Sequence, residues 1–364
     1  MTVKEVSTVL EELAPLGYAE DFDNVGLLVG NPNSEVTGVL VTLDTLESVI
    51  DEAIANRCNL IVSFHPIIFS GLKKITGRTY VERVVLKAIR NDIAIYSMHT
   101  ALDNVPQGVS AKICQVLGIS NSKILISQKG TLKKLTTYVP LENANGVKEA
   151  LFEAGAGNIG KYSNCSFSID GIGNYKAGSD ANPSKGNVGE LHYEKETQIN
   201  VVFSKIHQSK IINALLDSHP YEEVAYEIST LDNTDQNIGI GMVGTLNEPI
   251  DEIEFLEHVK RKMNSSAIRH SQLLGKQIKK VAVLGGSGAF AIEAAISAGA
   301  DVYITSDIKY HEFYKAENKI VIADIGHYET EQFTKNLLVD YLTKKIPNFA
   351  VRLSESKTNP IKYL

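Results

Sequence analysis

The chain has little that would suit it to an oxidising compartment, a bilayer or a nucleic-acid surface. Its three cysteines, Cys58, Cys114 and Cys165, are odd in number and far apart in a chain of 364 residues. That excludes a disulfide framework and a thiolate zinc site, and it fits a reducing cytoplasm. All three read as small buried hydrophobes. Apolar runs stop at strand length, as in Leu60–Val62 and Pro66–Phe69, well short of the ~20 residues that span a bilayer. The opening residues, Met1-Thr2-Val3-Lys4-Glu5, lack a charged-then-apolar leader pattern. A basic surplus is missing too: 36 Lys and Arg stand against 43 Asp and Glu, a formal net charge of -7. This disfavours nucleic acid and anionic lipid as partners.

What is present is an ordinary globular composition, 43% hydrophobic and 22% charged. At ~100–200 residues per domain, two or three domains are expected. The first segment alternates short β-branched runs (Gly38–Leu43, Leu60–Ser63, Ile93–Ser97) with helical spacings (Leu46–Ala55, Val81–Arg90). The last repeats that grammar, with strands at Val281–Leu284, Val302–Thr305 and Ile320–Ala323 and helices at Ala289–Ser297 and Glu331–Lys344. Such alternation implies βαβ units and a mostly parallel sheet. The middle differs. Strands at Leu132–Val139, Cys165–Ile172, Ile199–Phe203 and Glu223–Ile228 and helices at Val147–Glu153 and Ser209–Ser218 give the ferredoxin-like order. The expected fold is therefore α/β: two similar halves, 1–130 and 232–364, forming one domain, with an α+β domain inserted at 131–231.

Residues suited to metal binding collect where ligands bind in open α/β sheets, beyond the carboxyl ends of strands. His65 follows one strand; His99, with Asp103 four residues on, follows another; His327 follows a third. His327 and Glu331, spaced i, i+4 at a helix start, share one helical face. Imidazole plus carboxylate suits zinc, iron or manganese. Plainer readings exist for each: His65 could cap a turn before Pro66, His99 could be a core histidine, and Asp103-Asn104 could be a helix-entry turn. His219 reads as structural, and His192, His207, His258 and His270 as surface residues. A rival motif runs from Gly286 to Ala291, matching G-x-G-x-x-A, with Asp307 placed to hold a ribose. That would make the chain a nicotinamide-dependent oxidoreductase, although glycine-rich turns also occur without a nucleotide.

At these residues the chain resembles the GTP cyclohydrolase I type 2 homolog family, also called NGG-interacting-factor-three-like. The resemblance rests on DNVGLLVG (Asp23–Gly30), SFHPIIFSG (Ser63–Gly71), HTALDN (His99–Asn104), GGSGAF (Gly285–Phe290), SDIKYH (Ser306–His311) and DIGHYETE (Asp324–Glu331). The middle, with GKYSNCSFSIDGIGNY (Gly160–Tyr175) and HPYEEVAYE (His219–Glu227), resembles the PII-like and CutA-like insert of longer bacterial members. Position by position, the resemblance implies metal ligands at His65, Asp103, His327 and Glu331, holding one or two divalent ions per chain. Phe64 stands where the family usually has a first histidine, so one of two metal positions loses a ligand. The division this implies is His65, Asp103 and Glu331 on one ion, with His327 and Glu331 left for the other. Tyr310 replaces another frequent histidine beside His311.

The family name implies hydrolytic opening of the GTP purine ring by metal-bound hydroxide. His99 or His311 would move protons, and the Gly285–Gly288 turn, Lys73 or Lys309 would receive phosphates. Two other readings stay open: a metal-dependent phosphoesterase or nucleotide hydrolase, and a non-catalytic, ring-shaped metal-binding or regulatory scaffold. The resemblance also implies a homohexamer, a trimer of dimers with metal sites facing an internal cavity.

Overall fold

The strands Val39–Thr42, Leu60–Ser63 and Ala94–Ser97 are buried at every position. Runs with no polar face suit strands covered on both sides. They pair in parallel, Val39 against Leu60 and Leu60 against Ala94, and helices Glu47–Ala55 and Tyr80–Arg90 connect them. Thr79 caps the second helix by accepting from the Glu82 amide at 3.2 Å. The Glu82 carboxylate accepts in return from the amides of Thr76 (2.7 Å) and Arg78 (3.2 Å). Gly26–Val29 adds an antiparallel edge, and Val351–Leu353, from the far end of the chain, adds the other edge in parallel.

The computed structural model describes residues 1–364, which divide into two compact units, Met1–Ser127 with Gln236–Leu364, and Gln128–Asp235. The first unit holds a second sheet of six strands. In spatial order they are Arg269–His270, Val321–Asp324, Val302–Ser306, Gln277–Ser287, Gly239–Asp251 and Ser120–Ser127. Its central three strands are parallel, and the others pair antiparallel. The sheet is thus mixed, where alternation alone predicts mostly parallel pairing. The two sheets also trade strands: Val351–Leu353 completes the first, and Ser120–Ser127 completes the second. Each has its own core, Leu40, Ile61 and Ile95 with Val84 and Val85 in one, and Ala282, Leu284 and Tyr303 with Ile292 in the other.

The second unit follows the β-α-β-β-α-β order. Strands Leu132–Pro140, Ser166–Lys176, Leu191–Ser204 and Tyr226–Thr230 alternate with helices Ala144–Glu153 and Gln208–Ser218. All its pairs are antiparallel, with Leu132–Pro140 and Leu191–Ser204 in the centre. Val147, Leu151, Ile211 and Leu215 from the helices pack on Leu135, Val139, Ile199 and Phe203. No helix of the chain is long and apolar enough to cross a membrane.

Candidate metal centre

His65 lies two residues past the strand Leu60–Ser63, its amide donating to the Leu43 carbonyl at 2.9 Å. His327 opens a five-residue helix, His327–Glu331, entered through Gly326 at φ +99°. Glu331 closes that helix, so one turn brings both side chains to the same face. Buried Asp324 ties the flanking loops together, accepting from the amides of Ile308 (2.9 Å) and Gly326 (3.1 Å).

The three side chains converge on one point. His65 Nε2 lies 3.1 Å from Glu331 Oε2, and His327 Nε2 lies 3.2 Å from the same oxygen. That oxygen is buried and receives no hydrogen bond of acceptable geometry. A buried carboxylate oxygen left so is costly. On the far side of each ring, Nδ1 meets a carboxylate: His65 with Asp44 Oδ1 at 2.8 Å, His327 with Asp307 Oδ2 at 2.6 Å. An ionised carboxylate only accepts, so each Nδ1 carries the proton and each Nε2 is directed at Glu331. Carboxylate-backed histidines of this kind are the usual outer support of metal ligands. The ligand atoms of His65, His327 and Glu331 all lie within 4.8 Å of one another. Nitrogen and oxygen donors at that spacing fit a divalent ion.

The charges agree. Burial by itself would lower the pKa of both histidines, but Asp44 and Glu331 raise His65 to about 9, and Asp307 and Glu331 raise His327 to about 10. Burial would raise Glu331, yet His327 and His65 hold it down at about 2. Asp103 goes the other way, pushed well above the ordinary carboxylate range by burial and then by the charge of Glu331. His65 and His327 offset this only in part, and a divalent ion is the kind of charge that would stabilise the Asp103 anion further.

Other residues singled out from sequence sort themselves around this point. His65 and His327 both face one oxygen of Glu331, the residue that the expected division shares between two ions. The reason is geometric: the single helical turn from His327 to Glu331 delivers both to the ring of His65. His99 stands beside them, its ring 5.4 Å from that of His65. Its Nδ1 is held by Asp23 Oδ1 at 2.7 Å, and its backbone sits in the left-handed region at φ 25°. Phe64 is fully buried, its ring 4.9 Å from His65 and 5.6 Å from His99. His311 is exposed, and its ring contacts are with Tyr310 (5.2 Å) and Tyr314 (6.3 Å).

The glycine-rich turn has a use that needs no dinucleotide. A Cβ on Gly286 would stand 2.5 Å from Glu331 Oε1, and one on Gly285 would stand 2.6 Å from Val109 Cγ1. The Gly286 amide is committed to Thr330 Oγ1 at 2.9 Å. Asp307 orients His327 where the rival motif would have it hold a ribose. Sequence reasoning missed Asp44 altogether and gave Asp307 a different role. Asp44 was findable, because it follows the strand Val39–Thr42 as His65 follows its neighbour.

Fold and site together define a mixed α/β protein with a histidine–carboxylate metal centre. The chain belongs to the Duf34/NIF3 (NGG1p interacting factor 3) family, whose model matches residues 1–360. A GTP cyclohydrolase 1 type 2 homolog of Bacillus subtilis (strain 168) is 40% identical over 367 residues, covering 99% of this chain and 98% of the relative. A Bacillus cereus protein related to NIF3 has a similar structure, with TM-score 0.83, 36% identity and coverage of 100% and 99% of the two chains. Staphylococcus aureus protein SA1388 follows at TM-score 0.79 and 30% identity, again covering 100% and 99%.

Proposed function

We propose that this chain is a metal-dependent hydrolase acting on a purine nucleotide, with ring opening of GTP, the reaction its relatives' name suggests, as the first substrate to test. The observation that carries the metal site is Glu331 Oε2, buried and faced at 3.1 and 3.2 Å by the Nε2 atoms of His65 and His327. When bound there, a divalent ion supplies Lewis-acid activation of water or of a substrate oxygen. The chain's own residues do the rest. Asp44 and Asp307 fix the two rings. Asp103 would be the fourth ligand in this reading. His99, oriented by Asp23, moves the proton. Exposed Phe22 and Phe69, with ring centroids 6.4 Å apart, give a flat base an apolar wall, and Phe69 meets the His99 ring at 6.2 Å.

The same reading assigns a hexameric trimer of dimers to the protein and a PII/CutA-like fold to the inserted unit, the latter supported by its strand order. Light scattering showing a stable monomer at micromolar concentration would remove the hexamer. The central experiment is metal analysis with a nucleotide turnover screen on metal-loaded wild type and Glu331→Gln. Metal-dependent GTP consumption lost in the variant supports the proposal. Bound metal with no turnover of any nucleotide would leave a metal-binding scaffold and sink the hydrolase.

A further inference from the structure

The inserted unit carries a cavity of ≈ 480 Å³ whose wall includes Tyr138, Tyr175, Tyr221 and Glu196. Glu196 sits on the strand Leu191–Ser204 and is only 9% exposed. Burying a carboxylate is unfavourable unless both oxygens are satisfied. Oε1 accepts from the Tyr221 hydroxyl at 2.8 Å. Oε2 lies over Gly173, another wall residue, where an added Cβ would come within 2.0 Å of it. The absence of a side chain at Gly173 is what leaves that oxygen room at the cavity wall.

The surrounding rings are fixed rather than loose. Tyr175 and Tyr221 meet edge-to-face with centroids 5.7 Å apart. The Tyr175 hydroxyl donates to the Lys185 carbonyl at 3.0 Å. His219 packs on Tyr221 at 5.1 Å, accepts from its amide at Nδ1 and donates from Nε2 to the Tyr138 carbonyl. With one nitrogen accepting, His219 is neutral and offers no countercharge to Glu196. Among charged wall residues, Glu196, Glu222 and Glu223 face a single ammonium, Lys176. Glu222 is occupied in accepting from the Asn182 amide at 2.9 Å. A wall with this balance repels phosphates and carboxylates, while tyrosine faces beside a carboxylate attract cations.

We propose that this cavity binds a small organic cation, with its ammonium group on the free oxygen of Glu196 and against the faces of Tyr175 and Tyr221. The class is an amine or quaternary ammonium with a short apolar body, which the remaining wall covers. Every residue it uses lies in the inserted unit, between positions 138 and 225, and none is a proposed metal ligand.

Ligand-observed NMR on the full-length protein tests this with choline and benzylammonium, each beside its uncharged isostere, neohexyl alcohol or benzyl alcohol. Both cations should bind saturably, one per chain, and at least tenfold more tightly than their isosteres. Glu196→Gln should weaken both cations at least tenfold while the isosteres hardly change. Tyr175→Leu should weaken choline and keep the wild-type melting curve, and it decides the matter if Glu196→Gln does not fold. Glu331→Gln should leave binding intact. The proposal is overturned if neither cation saturates, if the alcohols bind as well, or if the Glu196 variant binds undiminished. Loss of binding in Glu331→Gln would overturn it too, by placing the cation at the metal centre.

Discussion

Gly286 and Glu331 are in contact in a way that only glycine permits: a Cβ at Gly286 would stand 2.5 Å from Glu331 Oε1. Gly286 also holds φ +71°, a left-handed conformation that costs other residues about 1–2 kcal/mol. Gly286→Ala should therefore displace the carboxylate and lower metal affinity at least tenfold, with a modest loss of stability. Metal titration of the folded variant checks this. Unchanged affinity would mean that Glu331 is not a ligand.

The carboxylates behind the rings should matter nearly as much. Asp44→Asn and Asp307→Asn each keep shape but remove the charge that orients an imidazole. Loss of such a support typically lowers metal affinity about 10–100-fold. Asp44 is the more informative, since it backs His65 while Asp307 also accepts from the Ser287 hydroxyl. Competition with a chromophoric chelator reads the affinity, and wild-type values in both variants would refute the ligand assignment.

Without an ion, protons take its place, which fixes the pH behaviour. Folding raises His65 from 6.5 to about 9 and His327 from 6.5 to about 10. Their contribution to stability is fully present below pH 6.5 and is lost as pH rises through 9 to 10. Glu331, lowered from 4.5 to about 2, contributes above pH 4.5, and that contribution is lost as pH falls through about 2. The melting temperature of chelated protein should thus be highest between these limits and fall steadily above pH 7. At pH 7, metal binding should release about two protons from the histidines. Calorimetry in buffers of different ionisation enthalpy counts them, and a count near zero contradicts the geometry.

Local periodicity made the buried parallel strands legible, because Leu60–Ser63 and Val302–Ser306 have no polar face to conceal them. It did not reveal Gly239–Asp251 or Ser120–Ser127. For Gly239–Asp251 the reason is visible at Gly239 and Gly244, where a Cβ would stand 2.1 Å from the Ile126 carbonyl oxygen and 2.7 Å from that of Ser120. Close approach of the neighbouring strand demands glycine there, and glycine erases the strand pattern. The helix predicted as Glu331–Lys344 begins at Thr334, because the ligand helix His327–Glu331 is a separate piece. The metal-ligating types were legible as residues at strand ends. Which carboxylate backs which ring was not, since Asp44 with His65 and Asp23 with His99 are pairings across 21 and 76 positions.

The inserted unit should be removable. Ser127 pairs with Gly239 across an antiparallel ladder, so deleting the intervening residues leaves two chain ends already side by side. A two-residue Asn-Gly turn is the natural closure for such a pair. The deletion protein should fold and bind metal with wild-type affinity, because His65, Asp103, His327 and Glu331 all lie in the other unit. It should also lose choline binding. A folded deletion protein without metal would show that the insert contributes to the metal centre.

Phe64 offers the sharpest test of how many ions the site holds. Its ring is fully buried against His65 and His99, and it presents no donor atom. The ligand atoms that do converge, from His65, His327 and Glu331, define one point. Wild type should accordingly hold one ion per chain firmly and a second weakly or not at all. Phe64→His would place a second imidazole beside His65, within reach of His99, which Asp23 already orients. In metal-free protein that change should cost about 1–3 kcal/mol, because a polar ring replaces an apolar one in a buried position. Added metal should recover that loss, since an ion binding only the folded state raises its stability. Titration of the metal-free variants should then give a stoichiometry near one for wild type and near two for Phe64→His. If wild type already binds two ions of similar affinity, another group completes the second position, and Phe64 is a packing residue with no bearing on metal number.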